Sequence, residues 1–169
     1  ACPFFCNLLL MNELQITTHI NKNLALKCVD LSKILFGNNY HNLDYFNDYA
    51  KIKLLALYRN NLVGFLIAEK TNFNQIEILT IGVSKCWQKK SVGTSLMKRF
   101  MTNFTKQNTK LITRAWKFKE NIYVKNLVEK FGFKPIINKG KIWKKKCNVF
   151  FKCKHFKKQC QCECIIYTN

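Results

Sequence analysis

Between Gln75 and Trp116 the spacing of apolar residues changes period twice. The run "QIEILTIGV" (75–83) reads as a strand, the stretch from Val92 sets Leu96, Met97, Phe100, Met101 and Phe104 on one helical face, and "KLITRAW" (110–116) reads as a strand again. Two strands joined through a helix lie parallel, and the crossover is right-handed because of the twist of the strands. This unit excludes an all-helical bundle and a purely antiparallel sandwich.

The flanking segments fill in the sheet. "LQITTHI" (14–20) alternates like a half-buried strand, and "NKNLALKCVDLSKILF" carries helical spacing up to Phe36, where Gly37 closes it. Tyr40, Tyr45, Phe46 and Tyr49, set among Asn and Asp, mark a loop with a short helix. "KLLALY" and "LVGFLIAE" flank "RNN" (59–61) as an antiparallel hairpin, and "NIYVKNLVEKFGF" (121–133) predicts a helix with Val124, Leu127, Val128 and Phe131 on one stripe and Gly132 at its C-cap. The expected fold is α/β: a mixed, mostly antiparallel sheet with one parallel β-α-β crossover and helices on both faces.

At 169 residues and 48% hydrophobic content, the chain has enough apolar material for one core. Residues 11–138 are expected to form the domain and 139–169 a basic Cys/His-rich tail completing the sheet. Residues 1–10 are expected to be an upstream extension, with translation starting at Met11. No apolar stretch is long enough to span a bilayer, and without a basic-then-apolar leader the expectation is a cytoplasmic protein with no membrane partner. The formal net charge is +20, and residues 106–169 hold 17 Lys/Arg against 3 acids, which implies an anionic partner: a phosphorylated cofactor, a nucleic acid or an acidic surface.

"WQKKSVGTSL" (87–96) shows where a phosphorylated ligand would sit. A loop leaving a strand at Val83 and entering a helix near Val92 points unpaired N–H groups at one spot, and the helix dipole adds positive potential. Gly93 allows close approach, Thr94 and Ser95 offer hydroxyls, and Lys89 and Lys90 supply counter-charge. The chain contains neither GxxxxGK[ST] nor GxGxxG, the rival phosphate loops. An ordinary helix start with solvated lysines is the alternative reading of this stretch.

From Leu14 to Ile137 the chain resembles the GNAT acetyltransferase superfamily. The motif Q/R-x-x-G-x-G/A reads here as Gln88-Lys-Lys-Ser91-Val-Gly93, and the N-x-x-A-x-x-L-Y-E-K-x-G-F helix as Asn121 to Phe133. The resemblance implies an N-acetyltransferase moving an acetyl group from acetyl-CoA to a primary amine of a small molecule, peptide or protein. It places Ile81, Gly82 and Val83 beside the pantetheine arm, Gln88, Lys89, Lys90, Ser91, Val92, Gly93 and Thr94 around the diphosphate, and Asn121 on the cofactor. It also implies Glu77, which strict strand alternation sets on one face with Leu79, Ile81 and Val83, as the base that deprotonates the amine, and acceptor selection by residues 38–50 and the C-terminal strands. Ser91 replaces the motif's first glycine, tolerable there if its φ stays negative. Val128 replaces the tyrosine that commonly protonates the leaving thiolate, with Tyr123 as a substitute acid. These departures leave open a catalytically degenerate CoA-binding module, and the basic tail leaves open a zinc-containing nucleic-acid-binding protein.

In "CKHFKKQCQCEC" the residues Cys153, His155, Cys160 and Cys162 crowd thiol and imidazole ligands into ten positions. Tetrahedral Zn²⁺ uses such sets, and adjacent C-x-C thiols close disulfides poorly, so a structural zinc is expected, with Cys147 or Cys164 as possible substitutes for a ligand. Disulfides and free thiols are the alternatives. Cys28, on an apolar helix face, is expected to be core.

Overall fold

In the computed structural model, residues 13–153 and 155–169 are described, so the expectation for residues 1–10 lies outside them. Among the described residues, ten strands and four α-helices follow in chain order: β1 (Leu14–Thr17), α1 (Lys22–Phe36), β2 (Gly37–Asn38), α2 (Leu43–Asn47), β3 (Lys51–Tyr58), β4 (Asn61–Asn72), β5 (Gln75–Val83), α3 (Val92–Phe104), β6 (Lys110–Phe118), β7 (Asn121–Ile122), α4 (Lys125–Lys130), β8 (Lys134–Gly140), β9 (Lys152–Cys153) and β10 (Glu163–Thr168). The main sheet runs β1-β3-β4-β5-β6-β10-β8, with β7 hairpinned onto β6. β5 and β6 pair in parallel, through the α3 crossover, and the other strand pairs of the main sheet among the described residues are antiparallel. The fold is the mixed sheet that the sequence pattern implied.

Alternation along the central strands sorts the core into two layers. Leu54, Leu66, Ile78 and Leu111 pack against Leu96, Met97 and Phe100 of α3 and Val128 of α4, while Leu55, Phe65 and Ile67 pack against Ala25, Cys28, Leu31 and Leu35 of α1. Cys28 is core, as expected, and burial pushes its thiol pKa up to about 12. Asn21 caps α1 by accepting the Leu24 N–H at 2.9 Å. The β3–β4 turn places Arg59 and Asn60 at φ 47 and 63, the left-handed pair of a type I′ hairpin.

One feature differs from the sequence expectation. The helix predicted from Asn121 begins only at Lys125, because Asn121 and Ile122 pair with Phe118 and Lys117 and so give their main-chain bonds to the sheet. Gly132, at φ 83, still ends that helix, and the Phe133 N–H reaches back to the Val128 carbonyl at 3.1 Å. In the tail, β10 lies between β6 and β8 in the sheet and buries Cys164, Ile165 and Tyr167. Gly37, at φ 123, admits the tail on the α1 side, where a Cβ would stand 1.9 Å from the Lys152 carbonyl oxygen of β9.

Candidate active site

The site begins where the two parallel strands part. Pairing of β5 with β6 stops at Ile78↔Thr113, although β5 continues to Val83 and β6 to Phe118. The Thr113 hydroxyl donates to the Ile78 carbonyl at 2.9 Å and closes the base of this fork. A register shift opposite Ile67/Ala68 puts Leu79 in a β-bulge at the same level. The bulge reverses side-chain parity. Glu77 therefore does not share a face with Ile81 and Val83, as strict alternation implied; those two pack with the α3 layer, and Leu79 and Gly82 face α1.

Main-chain direction follows from the same register. The Ser84 N–H bonds the Val63 carbonyl at 2.9 Å, which makes Gly64↔Val83 a pair that exchanges no bonds, and the alternation carries this to Leu66↔Ile81. The N–H and C=O groups of Ile81 and Val83 thus point away from β4, into the fork. Gln88 confirms the direction, since its side-chain amide donates to the Val83 carbonyl at 3.0 Å.

Beyond Val83 comes a turn of 3₁₀ helix (Lys85–Trp87) and the expected loop into α3. Lys89 and Ser91 both adopt left-handed backbone, φ 60 and 59. The serine at the motif's first glycine position thus accepts the conformation that glycine favours, contrary to the negative φ expected for it, at a cost of about 1 kcal/mol. This αL residue aims the first turn of α3: the N–H groups of Val92, Gly93 and Thr94 precede the helix's first internal bond, which Ser95 makes to the Ser91 carbonyl at 2.9 Å. A Cβ on Gly93 would meet Leu127 Cδ2 at 3.2 Å. The Lys90 ammonium lies 5.5 Å from the centre of the Trp87 ring. Asn121 sits at the start of β7, not on a helix.

On the α1 face a cleft of about 570 Å³ opens beside the fork, lined by Tyr40, His41 and Tyr45, by Glu77 and Thr80 of β5, by Arg114 of β6 and by tail residues. Glu77 is 5% exposed, and its carboxylate receives the Arg114 guanidinium at 2.6 Å. Burial raises its pKa above the ordinary carboxylate value while Arg114 opposes the rise. His41 stacks on Tyr45 with ring centres 3.9 Å apart, contacts Ser32 Oγ through Nδ1 at 2.9 Å and Thr80 Oγ1 through Nε2 at 3.3 Å. Burial drives its pKa down to about 3, so the ring is neutral at pH 7. The sequence reading gave His41, Thr80 and Arg114 no role. For Arg114 the signal was present, a charge at an alternating position in the apolar strand "KLITRAW"; for His41 and Thr80 there was none.

The remaining candidates lie elsewhere. Tyr123 is 66% exposed, with its ring 6.0 Å from that of His155. Val128, at the position of the usual tyrosine, is fully buried in the α3 layer. In the tail, Cys153, Cys160 and Cys162 come together as expected, but His155 stacks on Phe118 with ring centres 4.0 Å apart, and Cys147 completes the cluster instead. Among the described residues, no group of three or more His, Cys, Asp or Glu stands assembled as a metal site, so the expected zinc set is not supported. No helix among them is long and apolar enough to cross a membrane.

Residues 27–133 match the model of a family described as the acetyltransferase (GNAT) family. No curated protein sequence matches the chain significantly. Among solved structures, an aminoglycoside 6'-N-acetyltransferase complexed with coenzyme A shares 13% identity at TM-score 0.70, covering 92% of this chain and 96% of its own. Arabidopsis thaliana Naa50, in complex with the bisubstrate analogue CoA-Ac-MVNAL, shares 18% at TM-score 0.69, covering 93% and 98%. The ribosomal-protein-S18-alanine N-acetyltransferase of Escherichia coli shares 12% at TM-score 0.68, covering 92% of each chain. At these identities the likeness establishes the fold.

Proposed function

The chain belongs to the acetyltransferase (GNAT) family, and on that premise we propose that it transfers the acetyl group of acetyl-CoA to a primary amine held in the cleft on the α1 face. The observation that carries the reading is the fork. It offers the outward N–H and C=O groups of Ile81 and Val83 to an extended amide-bearing chain such as pantetheine, and it ends at the amide-rich start of α3, where a diphosphate is favoured. Gln88, Lys89, Lys90, Ser91, Val92, Gly93 and Thr94 surround that position, with Gly82 in the strand between; Asn121 contributes only from the β7 hairpin.

Chemically, the amine nitrogen attacks the thioester carbonyl, and the C–S bond breaks as the tetrahedral intermediate collapses. The Val83 N–H points into the fork, where it would serve the oxyanion. Glu77 opens on the cleft with a raised pKa and takes the proton of the incoming ammonium. Tyr123 is a weaker candidate for acid because of its exposure, and a CoA thiolate leaves readily without one. The structural zinc expected in the tail belongs to this reading as well, since the tail forms the cleft's outer wall. An acceptor amine carried on an anionic polymer such as RNA is a second reading, favoured by Lys146 in that wall.

The test is a thermal-shift and mass-spectrometric screen. Acetyl-CoA at about 100 times its Kd should raise the unfolding free energy by about 2.7 kcal/mol, and acetylated product should appear from a panel of primary amines and N-terminal peptides. Stabilisation without product on any acceptor would favour the degenerate binding module; absence of stabilisation would remove the reading altogether.

A further inference from the structure

The acetyl-transfer reading leaves the thiols of the tail unused. Cys147, Cys153, Cys160 and Cys162 are all buried, in a shell of Tyr40, Trp116, Phe118, Trp143 and Phe156, and none is disulfide-bonded. They form one packed cluster, in which Cys153 neighbours Cys147 and Cys162, Cys147 neighbours Cys160, and the Cys160 thiol points at the Cys162 carbonyl at 4.0 Å. The His155 N–H also points at Cys153 Sγ at 3.4 Å, the main-chain contact that steadies a thiolate.

Regular structure around the cluster is sparse. Between β8 and β10 the described residues form only the two-residue β9 and one isolated bridge, Cys147↔Phe151, and leave Ile142, Val149 and Phe150 exposed. A segment with so little core of its own requires another source of cohesion. Lys144, Lys145, Lys146, Lys152, Lys157 and Lys158 surround the cysteines in sequence, a cationic setting for an anionic centre.

We propose that Cys147, Cys153, Cys160 and Cys162 bind one thiophilic divalent cation of the zinc class in tetrahedral coordination, and that the ion fixes the outer wall of the acceptor cleft. Four S–H bonds break, four sulfur–metal bonds form and four protons go to solvent, with no change of oxidation state; the product carries two negative charges, which the neighbouring lysines offset. Among the described residues these thiols are not assembled as a metal site, so binding draws the packed cluster in onto the ion. Cys147 rather than His155 completes the set because it is the side chain packed with Cys153, Cys160 and Cys162, while the His155 ring lies against Phe118.

The consequence for the cleft follows from chain order. Trp143, Lys146, Phe150 and Phe151 line the cleft and bracket Cys147. This second part rests on the reading of the cleft as the acceptor site.

The test uses the full chain, reduced and titrated with Co²⁺ and Zn²⁺. The expected result is one ion per chain by native mass spectrometry, close to four protons released in weak buffer, and the thiolate-to-cobalt charge-transfer and visible bands of a tetrahedral sulfur site. Cys147→Ser should weaken those bands and His155→Ala leave them unchanged. No uptake by the unaltered chain, a disulfide joining two of these four cysteines in peptide mapping, or loss of the bands in His155→Ala but not Cys147→Ser would each overturn the site. If Cys147→Ser does not fold, the cobalt spectrum and proton count of the unaltered chain decide. Chelation should lower kcat/KM for the amine on the order of tenfold to a hundredfold while leaving acetyl-CoA affinity unchanged, and an unchanged amine kcat/KM would overturn the link to the cleft. The metal readouts stand whether or not acetyl transfer occurs, so failure of one reading is distinguishable from failure of the other.

Discussion

The cofactor fork and the acceptor cleft lie back to back on β5 and are made of different material. The fork is main chain, built by one register shift, two αL residues and the first turn of α3, all within Ile78–Thr94. The cleft is side chains gathered from residues 39–45, from β5, from Arg114 and from a tail more than sixty residues beyond Glu77. Backbone geometry tolerates changes of side chain, whereas a constellation assembled from four segments is sensitive to each member. Substitutions should therefore cost more on the cleft side.

The largest expected effect is at Glu77. Replacement by Gln preserves shape and removes the base, so kcat for amine acetylation should fall on the order of 10²- to 10⁴-fold while acetyl-CoA still stabilises the protein as before. The rate should also decline as pH falls through the Glu77 pKa, at a pH above the ordinary carboxylate range because burial raises that pKa. Steady-state kinetics and a pH profile check both. A rate within threefold of the parent would move the base elsewhere and remove the main support for the cleft as the acceptor site.

His41 gives the next largest effect, on stability. Its folded pKa, about 3, lies below the unfolded value of about 6.5, so the unfolded chain takes up a proton first as pH falls. Stability should drop by about 2 kcal/mol between pH 7 and 5 from this group alone. His41→Gln should flatten that slope in urea titrations at the two pH values; an undiminished slope would show that burial does not hold the ring neutral.

What could be read from the sequence follows the same division. The hairpin, the β5-α3-β6 crossover and the diphosphate loop rest on short-range signals, namely periodicity, Asn and Gly at turns, and an amide-rich helix start. The bulge at Leu79 did not announce itself in "QIEILTIGV", so strict alternation put Glu77 on the wrong face relative to Ile81. Nor could spacing show that Asn121 and Ile122 would be drawn into a hairpin. Cys147 was visible as a spare ligand, but its packing with Cys153, Cys160 and Cys162 depends on how the tail folds back against Trp116 and Phe118, which spacing does not show.

A smaller effect tests the main-chain side. Ser91→Gly should raise stability by about 1 kcal/mol by relieving the αL conformation and should keep or tighten acetyl-CoA binding, since the motif's usual residue is restored. A loss of stability in chemical denaturation would mean that the Ser91 side chain contributes something its conformation does not reveal.

The smallest expected effect is the most informative about what holds the diphosphate. Lys89 is exposed, and an exposed charge beside a bound anion contributes about 1 kcal/mol or less and is screened by salt. Lys89→Gln should therefore weaken acetyl-CoA by less than about tenfold at low ionic strength, and the difference should shrink as salt is added. Calorimetry at two salt concentrations checks it. A loss of a hundredfold or more, persisting in salt, would mean that the lysine side chain rather than the amides of Val92, Gly93 and Thr94 grips the phosphates, and the contrast between a main-chain fork and a side-chain cleft would no longer hold.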